Sequence, residues 1–246
     1  MALKAAPEAQ ARLLDLQSID TRLAQLEHRE RHLPERAEVA RLSSERDTAR
    51  GDVIASRGVL EDLRAELRRV EADVEVVDAR IARDNERMLA TSSAKDASAF
   101  EHEILSLRRR KQDLEEIELA VMEKVEEHEA ALAGIQSRLD DLAAQLEGAE
   151  RAVASALEAI ADERAQLAEQ RTALVAELPA DLVGLYERQR SRYGVGASLL
   201  YRGVSQASGV ALLADELAAV RSAAPDDVLI CPSSEAILVR TAESGL

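Results

Sequence analysis

A heptad repeat of aliphatic side chains constrains the fold of this chain more than any other sequence feature. Six apolar residues from Val53 to Met88, and eight from Val125 to Leu174, each recur every seven positions. A second apolar position accompanies these repeats at Leu63, Val70, Val77, Ile135 and Leu142. Two apolar positions per heptad form the contact line of a coiled coil. The sequence therefore predicts a mainly α-helical fold based on two long coiled-coil helices.

The polar segment TSSAKDAS, at residues 91–98, interrupts the repeat. Its last residue, Ser98, stands three positions before Glu101, which is the spacing of a capping box that starts a new helix. A short loop makes the helices on either side of it antiparallel neighbours. We therefore predict an antiparallel hairpin with helices over 35–90 and 98–178 and a tip loop at 91–98. The alternative is a long parallel homodimer, which needs neither the loop nor a new cap.

A shorter helix is predicted before the hairpin. One helix face is expected to carry the residues Leu13, Leu16, Ile19, Leu23 and Leu26, which follow one another at steps of three or four. The segment HLP at 32–34 ends this pattern, and its proline suits the first turn of the next helix. We predict a helix over residues 5–32 that packs beside the end of the hairpin opposite the tip.

The chain after the helical region, residues 1–178, has a different pattern. The segment LPADLVGLYERQRSRYG predicts a connecting helix over 179–194 that ends at Gly194. Beyond it, ASLLYRG is strand-like, LLADELAAVRSA is helical, and DDVLICPSSEAILVRT is typical of a β-hairpin with its turn at PSS. These segments predict a small α+β domain over 195–246, a size at which an apolar core alone gives limited stability.

Composition limits the partners and the compartment. The formal net charge of -15 disfavours broad electrostatic attachment to nucleic acid or to an anionic membrane, because both attract basic surfaces. No apolar run approaches the roughly 20 residues needed to span a bilayer, and the first residues lack the apolar core of a signal peptide. The single cysteine cannot form an internal disulfide. We expect a soluble, cytoplasmic protein that does not associate with membranes.

Two segments of the small domain have the outline of zinc knuckles. They are YRGVSQASGVAL at 201–212 and LICPSSEAILVR at 229–240. The four positions with C-x2-C spacing are occupied by Ser205, Ser208, Cys231 and Ser234. Serine hydroxyls are poor zinc ligands and one thiolate cannot hold the metal alone, so we predict a degenerate site with no metal and no other cofactor. Cys231 is interpreted as a small buried residue without a basic neighbour to lower its pKa.

Five segments together resemble a known family. They are LLDLQSIDTRLAQLEHR at 13–29, SSAKD at 92–96, HEILSLRRRKQDLE at 102–115, LPADLVGLYERQR at 178–190 and CPSSEAILVR at 231–240. In order and spacing they are similar to the bacterial C4-type zinc-ribbon proteins with a coiled-coil hairpin, in particular their actinobacterial members. The resemblance implies a zinc ribbon at 195–246 and nucleic-acid binding. It also implies, from some relatives, adaptors or chaperones that bind a sigma factor, secretion components or messenger RNA.

A basic cluster near the predicted tip provides candidate contacts to a partner or to phosphates. Its members are Lys95, Arg108, Arg109, Arg110 and Lys111. Such a cluster can bind phosphate oxygens or an acidic protein surface. The alternative is that these side chains pair within their own helix with Asp113, Glu115 and Glu116.

Enzyme motifs are absent from the sequence. It contains no G-x-x-x-x-G-K-[ST], no H-E-x-x-H and no G-x-S-x-G segment. We therefore predict a non-enzymatic scaffold or adaptor that binds unidentified protein partners through the coiled coil and a metal-free, zinc-ribbon-like cap. The competing predictions are a nucleic-acid-binding protein and a plain spacer.

Overall fold

The computed structural model describes residues 3–246. The chain forms two compact units. The hairpin unit comprises Glu35–Arg151, and the sheet unit joins Met1–Pro34 to Ala152–Leu246. The sequence placed a domain boundary at residue 178. The packing instead groups the helices on both sides of that residue with the small domain, because they share one apolar core.

Helices account for most of the chain, so the predicted fold class is confirmed. Their bounds are α1 Pro7–Arg31, α2 Glu35–Ala90, α3 Ala94–Glu177, α4 Ala180–Tyr193 and α5 Ala214–Ser222. The third helix is continuous and contributes residues 94–151 to the hairpin unit and 152–177 to the sheet unit. Among residues 3–246, no helix is both long and apolar enough to cross a membrane.

In the hairpin unit α2 packs antiparallel to α3 within one chain. One buried cluster combines Leu42 and Ala49 of α2 with Leu142 and Leu146 of α3. Nearer the tip, the Arg80 guanidinium lies 2.6 Å from the Glu103 carboxylate across the same two helices. Residues early in α2 thus meet residues late in α3, and the reverse holds at the tip. This arrangement confirms the hairpin and excludes the parallel homodimer as the source of the heptads.

The tip is shorter than predicted. The third helix begins at Ala94, so residues 91–93 alone connect it to α2. The Oγ of Ser93 accepts the backbone N–H of Asp96 at 3.3 Å and caps the helix. The prediction that Ser98 is the cap was wrong, because Ser93, three residues after the end of α2, already caps the first free N–H groups of α3.

The sheet unit places a four-stranded sheet against three helices. Its strands are β1 Ala197–Tyr201, β2 Val204–Ser205, β3 Leu229–Ile230 and β4 Ile237–Val239, followed by a 3₁₀ turn at Ala242–Ser244. The spatial order is β2-β1-β4-β3, with β1 parallel to β4 and the outer pairs antiparallel. The predicted hairpin around PSS corresponds to β3 and β4.

The main core of the sheet unit lies between these helices and the sheet. Its buried members come from α1, the end of α3, α4 and the strands, and include Leu13, Leu16, Leu174, Leu178, Leu182, Tyr186, Ile237 and Val239. Leu26 and Leu33 extend the packing along α3 to Ile160. Burial of such aliphatic residues stabilises by roughly 1.5 to 3 kcal/mol each before chain entropy is subtracted. This core explains why α1 and α4 belong with the sheet.

Candidate functional site

Two turns of the sheet unit follow one hydrogen-bond pattern. In the turn at 205–210, the N–H of its first residue, Ser205, donates to the carbonyl of its last residue, Val210, at 3.1 Å. The N–H of its fifth residue, Gly209, donates back to the carbonyl of Ser205 at 2.8 Å. In the turn at 231–236 both equivalent bonds measure 2.8 Å. The two segments predicted to be knuckles therefore share one backbone shape.

The fifth residue of each turn has a left-handed backbone conformation. Gly209 has φ 69°, and Glu235 has φ 59°. Glycine adopts this region freely, whereas a residue with a Cβ pays roughly 1 to 2 kcal/mol there. Because Glu235 adopts it nonetheless, the surrounding hydrogen bonds impose the shape of the second turn.

The side chains that begin the two turns meet in the core. Ser205 and Cys231 are both fully buried, and the Ser205 hydroxyl lowers the pKa of the Cys231 thiol. The Ser205 Oγ also lies 3.2 Å from the Oγ of Ser198, which accepts the backbone N–H of Ala207 at 2.8 Å. A chain of buried hydroxyls thus runs from a backbone amide to the thiol.

The remaining two predicted positions differ from each other. The Oγ of Ser234 is buried and has no hydrogen-bond partner within residues 3–246, and its hydroxyl lowers the pKa of the nearby Cys231 thiol. The Oγ of Ser208 instead accepts the N–H of Val210 at 3.3 Å and so closes its own turn. Two of the four predicted positions, Ser205 and Ser234, therefore lie beside the sulfur of the third, Cys231, and the fourth stabilises its own loop.

The environment of Cys231 changes its acidity in two opposing ways. Burial raises the pKa of the thiol, but hydrogen bonds from the hydroxyls of Ser205 and Ser234 and the backbone N–H groups of Ser233 and Ser234 lower it. The net pKa lies below the ordinary value, because the donors together outweigh desolvation. The sequence interpretation missed this effect, since it considered basic neighbours and not hydroxyl donors from a distant turn.

The donor set of the two turns does not fit a zinc ion. A structural zinc site uses four thiolate, imidazole or carboxylate ligands in a tetrahedron. Here one thiol faces hydroxyls, and the Ser205 hydroxyl already bonds to Ser198. Within residues 3–246, no cluster of three or more histidine, cysteine or acidic side chains could hold a metal. The side chains at the four predicted positions therefore do not form a set of zinc ligands.

A buried carboxylate, which the sequence did not indicate as special, joins three helices of the sheet unit. Asp20 of α1 is only 5% exposed. Its carboxylate accepts Arg171 Nε at 2.7 Å and the Tyr186 hydroxyl at 2.8 Å. The Arg190 Nε lies 3.4 Å away, and Glu187 pairs with both arginines. The hydrogen bond to Asp20 holds the pKa of Arg171 above its ordinary value, and burial together with Asp20 raises the pKa of Tyr186.

The same region connects α1 to the first strand. Gln17 Oε1 accepts the backbone N–H of Gly196 at 2.7 Å and that of Ala197 at 3.3 Å. A Cβ added to Gly196 would lie 2.5 Å from the ring of Tyr186, so only glycine fits there. These contacts fix the position of β1, and with it the turn that carries Ser205.

One arginine of the sheet unit has a structural role. The Arg240 guanidinium donates to backbone carbonyls after α5, including Ala224 at 2.7 Å and Asp227 at 2.9 Å. These carbonyls lie in the segment that links α5 to β3, and the guanidinium holds this segment in place. The guanidinium of Arg240 is therefore committed to the chain and not directed toward a phosphate.

The predicted basic cluster of the hairpin unit separates into two groups. Lys111 Nζ lies 2.6 Å from Asp78 and 3.6 Å from Glu115, so it stabilises the hairpin. The consecutive arginines at 108–110 are exposed and make no ion pair with any residue between 3 and 246, and Lys95 is exposed at the start of α3. The predicted pairing of the arginines within their own helix does not occur.

Large apolar side chains are exposed mainly on the hairpin unit. Of thirteen such residues in the part of the chain that the structure describes, eight lie between residues 35 and 151. The most exposed are Leu89 at 83% and Ile54 at 72%. Heptad packing of α2 on α3 leaves these side chains on the outside, where they can contact a partner.

The hairpin is the part of the chain that a family model matches. The model describes the CT398-like coiled-coil hairpin domain and covers residues 16–194. The chain belongs to this family. Both knuckle-like turns lie after residue 194, so the zinc-ribbon relationship of the last 50 or so residues stays a prediction.

Several proteins are similar to this chain over nearly its whole length. A Mycobacterium tuberculosis protein, described only as uncharacterised, is 37% identical over 241 residues, which are 97% of this chain and 98% of the relative. A solved structure from Mycobacterium smegmatis is 36% identical, with a TM-score of 0.80, and covers 97% of this chain and 100% of its own. The solved structure of CT398 from Chlamydia trachomatis is 19% identical, with a TM-score of 0.60. The match covers 94% of this chain and 97% of CT398. At that identity CT398 shows the shared fold alone.

Proposed function

We propose that this member of the CT398-like hairpin family is a non-enzymatic scaffold or adaptor that binds other proteins. The observation that carries the proposal is the exposure of Ile54 and Leu89, two large apolar side chains on the hairpin unit. Burial of exposed apolar side chains is the main favourable contribution to most protein–protein association. The lack of nucleotide-binding and hydrolase motifs in the sequence agrees with a role in binding rather than catalysis.

The sheet unit acts in this proposal as a folded cap that needs no metal. The turns that begin at Ser205 and Cys231 are held by backbone hydrogen bonds and by the buried hydroxyls around the sulfur. A rigid cap of this kind presents a fixed surface whether or not zinc is available.

Crosslinking in cells followed by affinity capture of the full chain tests the adaptor function. We expect one reproducible set of proteins with the wild type, and a several-fold loss of it with Ile54→Ser/Leu89→Ser. Glu61→Ser is the matched control, because Glu61 is an exposed residue of α2 and its replacement removes no apolar surface. Recovery that is absent, or equal for all three chains, would contradict the proposal.

Nucleic-acid binding is the competing function, and one observation favours it. Arginines 108–110 are exposed and have no acidic partner among residues 3–246. Binding through them would weaken steeply with salt, because each neutralised phosphate releases counterions. Nuclease treatment of the captured material separates the two functions: release of every captured protein by nuclease would favour nucleic acid over direct protein contact.

A further inference from the structure

The outer face of α3 near the tip carries an ordered stripe of seven side chains. All seven are exposed, and the steps from one turn to the next are three or four residues, as on one helix face. From the N-terminal end they are Leu105, Arg108, Arg109, Gln112, Glu115, Glu116 and Leu119. The buried residues of the same segment, such as Leu114, lie on the side that faces α2. We call these seven residues the 105–119 stripe. The stripe lies on the side of α3 that points away from α2.

The 105–119 stripe is symmetric in apolar character and antisymmetric in charge about its centre. Leucines at both ends are exposed by 47% and 60%. Two arginines lie on the N-terminal side of Gln112 and two glutamates on its C-terminal side. A surface with this arrangement is complementary to itself after a two-fold rotation, which is the requirement for a symmetric dimer contact.

We propose that the 105–119 stripe binds the same stripe of a second copy of this chain, antiparallel and centred on Gln112. Residues before Gln112 in one copy then face residues after it in the other copy, and each flank of one helix meets the same flank of the other. The opposed pairs are Leu105 with Leu119, Arg108 with Glu115, Arg109 with Glu116, and Gln112 with itself. Each unlike pair forms twice, and a glutamine amide both donates and accepts, so it can bond its own copy.

Charge fixes the orientation of the two copies. A parallel contact would place the arginines of one copy against those of the other and the glutamates against glutamates, and like charges at an interface are repulsive. The antiparallel contact joins the unlike charges. Arg108 and Arg109 thereby gain an acidic partner that the single chain does not provide.

Charge also limits the length of the contact. Beyond the leucines, Glu101 of one copy would oppose Glu123 of the other, which is unfavourable. The favourable part spans fourteen helical steps, or about 21 Å. One helix face of this length buries less than the roughly 800 Å² per partner of a standard interface, so the dimer is weak and depends on concentration. Glu115 is shared with Lys111, which leaves Glu116 as the stronger acceptor.

Sedimentation equilibrium of the full chain over a range of concentrations tests the proposal. We expect a monomer–dimer equilibrium that shifts toward monomer when ionic strength rises from about 0.05 M to about 0.5 M, because exposed charges are screened. R108E/R109E and E115R/E116R should each weaken self-association at least tenfold. The fourfold exchange R108E/R109E/E115R/E116R should restore it, because the reversed stripe is again complementary to itself.

Mixing gives a second measurement that a general charge effect would not reproduce. R108E/R109E presents only negative charge on the stripe and E115R/E116R only positive charge. An equimolar mixture of the two should therefore associate more tightly than either variant alone. R68E/R69E is the matched control, because these adjacent arginines of α2 are also exposed and carry the same charge change. This control should leave self-association unchanged.

The proposal fails if the wild type stays monomeric at low salt and high concentration. It also fails if the fourfold exchange does not restore association, or if R68E/R69E weakens it as much as R108E/R109E. Loss of oligonucleotide binding in R108E/R109E, with no change in self-association, would assign the arginines to nucleic acid instead. None of these results depends on Ile54 or Leu89, so the outcome is separate from that of the adaptor test.

Discussion

The hydroxyl of Tyr186 in α4 donates to the carboxylate of Asp20 in α1 at 2.8 Å. The same carboxylate accepts Arg171 of α3, so one side chain joins three helices of the sheet unit. The ring of Tyr186 in turn limits what can stand at Gly196, at the entrance to β1. The position of the first turn, with Ser205 and its neighbours, therefore depends on a polar contact far from it in sequence.

Replacement of Asp20 by alanine should destabilise the chain by about 3 kcal/mol. It leaves Arg171 and the Tyr186 hydroxyl without their partner in a partly buried position, and breaking such a pair from one side is costly. Tyr186→Phe removes a single hydroxyl from the same contact and should cost only about 1 kcal/mol. Urea unfolding of both variants checks the order. Equal losses would show that the charge on Asp20 adds nothing to the hydroxyl bond.

Gly196→Ala should cost about 2 kcal/mol or more. The new Cβ would lie 2.5 Å from the Tyr186 ring, and a buried ring enclosed by packing cannot move without strain. Gly184→Ala in α4 is the matched control. Its Cβ meets only the end of Arg188 at 3.6 Å, so helix propensity should make the variant slightly more stable. Thermal melts of the two variants should move in opposite directions, and a harmless Gly196→Ala would contradict this packing.

Glu235→Gly should stabilise the chain by roughly 0.5 kcal/mol, because glycine adopts the positive φ of this position without a Cβ conflict. Glu235→Ala removes the charge but keeps the conflict, so it should give no gain. Gly209→Ala at the equivalent position should be destabilising, since φ there is also positive while nothing lies within 4 Å of the new Cβ. Chemical unfolding of the three variants tests whether the two turns share one backbone requirement.

Ser205→Ala should raise the pKa of the Cys231 thiol. The variant loses a hydrogen bond that favours the thiolate, while burial continues to oppose ionisation. Ser208→Ala is the control, because that hydroxyl bonds to a backbone N–H of its own turn. The NMR shift of the cysteine β-carbon followed against pH gives the pKa directly. A Ser205→Ala pKa equal to that of the wild type would refute the hydroxyl contact.

The direction of this pKa shift also sets a stability profile. In the native chain the thiol pKa lies below 9.0, its ordinary value. Ionisation therefore adds stability that is fully present above the unfolded pKa and is lost as the pH falls through the native pKa. The unfolding free energy of the wild type, relative to Cys231→Ala, should rise as the pH increases toward about 9. A difference that falls over this range would have the wrong sign.

The sequence predicts the helices well and their partners less well. Regular spacing from Val53 to Met88 and from Val125 to Leu174 is a local pattern, and a short loop leaves few ways to join two helices. The tip was misplaced because Ser93 and Ser98 both suit a cap, and only the end of α2 decides between them. The prediction that the first helix packs beside the end of α3 away from the tip is confirmed, since Leu26 shares a buried cluster with Ile160.

The contacts inside the sheet unit could not be predicted from the sequence. Ser198 belongs to no recognisable sequence motif, and its contact with Ser205 depends on how β1 pairs with β2. Asp20 resembles any other acidic residue of an amphipathic helix until Arg171 and Tyr186 are brought to it from positions more than 150 residues away. Contacts of this length are set by the fold and leave little trace in local spacing. The turns at 205–210 and 231–236, by contrast, lie within the two segments that the sequence indicated.

Zinc content of the purified full chain, measured with thermal melts in the presence and absence of chelator, tests the central claim most directly. That claim is a metal-free cap in which hydroxyls and packing replace the metal around Cys231. A Ser205→Cys/Ser208→Cys/Ser234→Cys variant, which restores four thiols, shows that zinc would be detected if bound. The account predicts wild-type protein without zinc and a melt that chelator leaves unchanged. Near-stoichiometric zinc in the wild type, with a melt lowered by chelator, would contradict it.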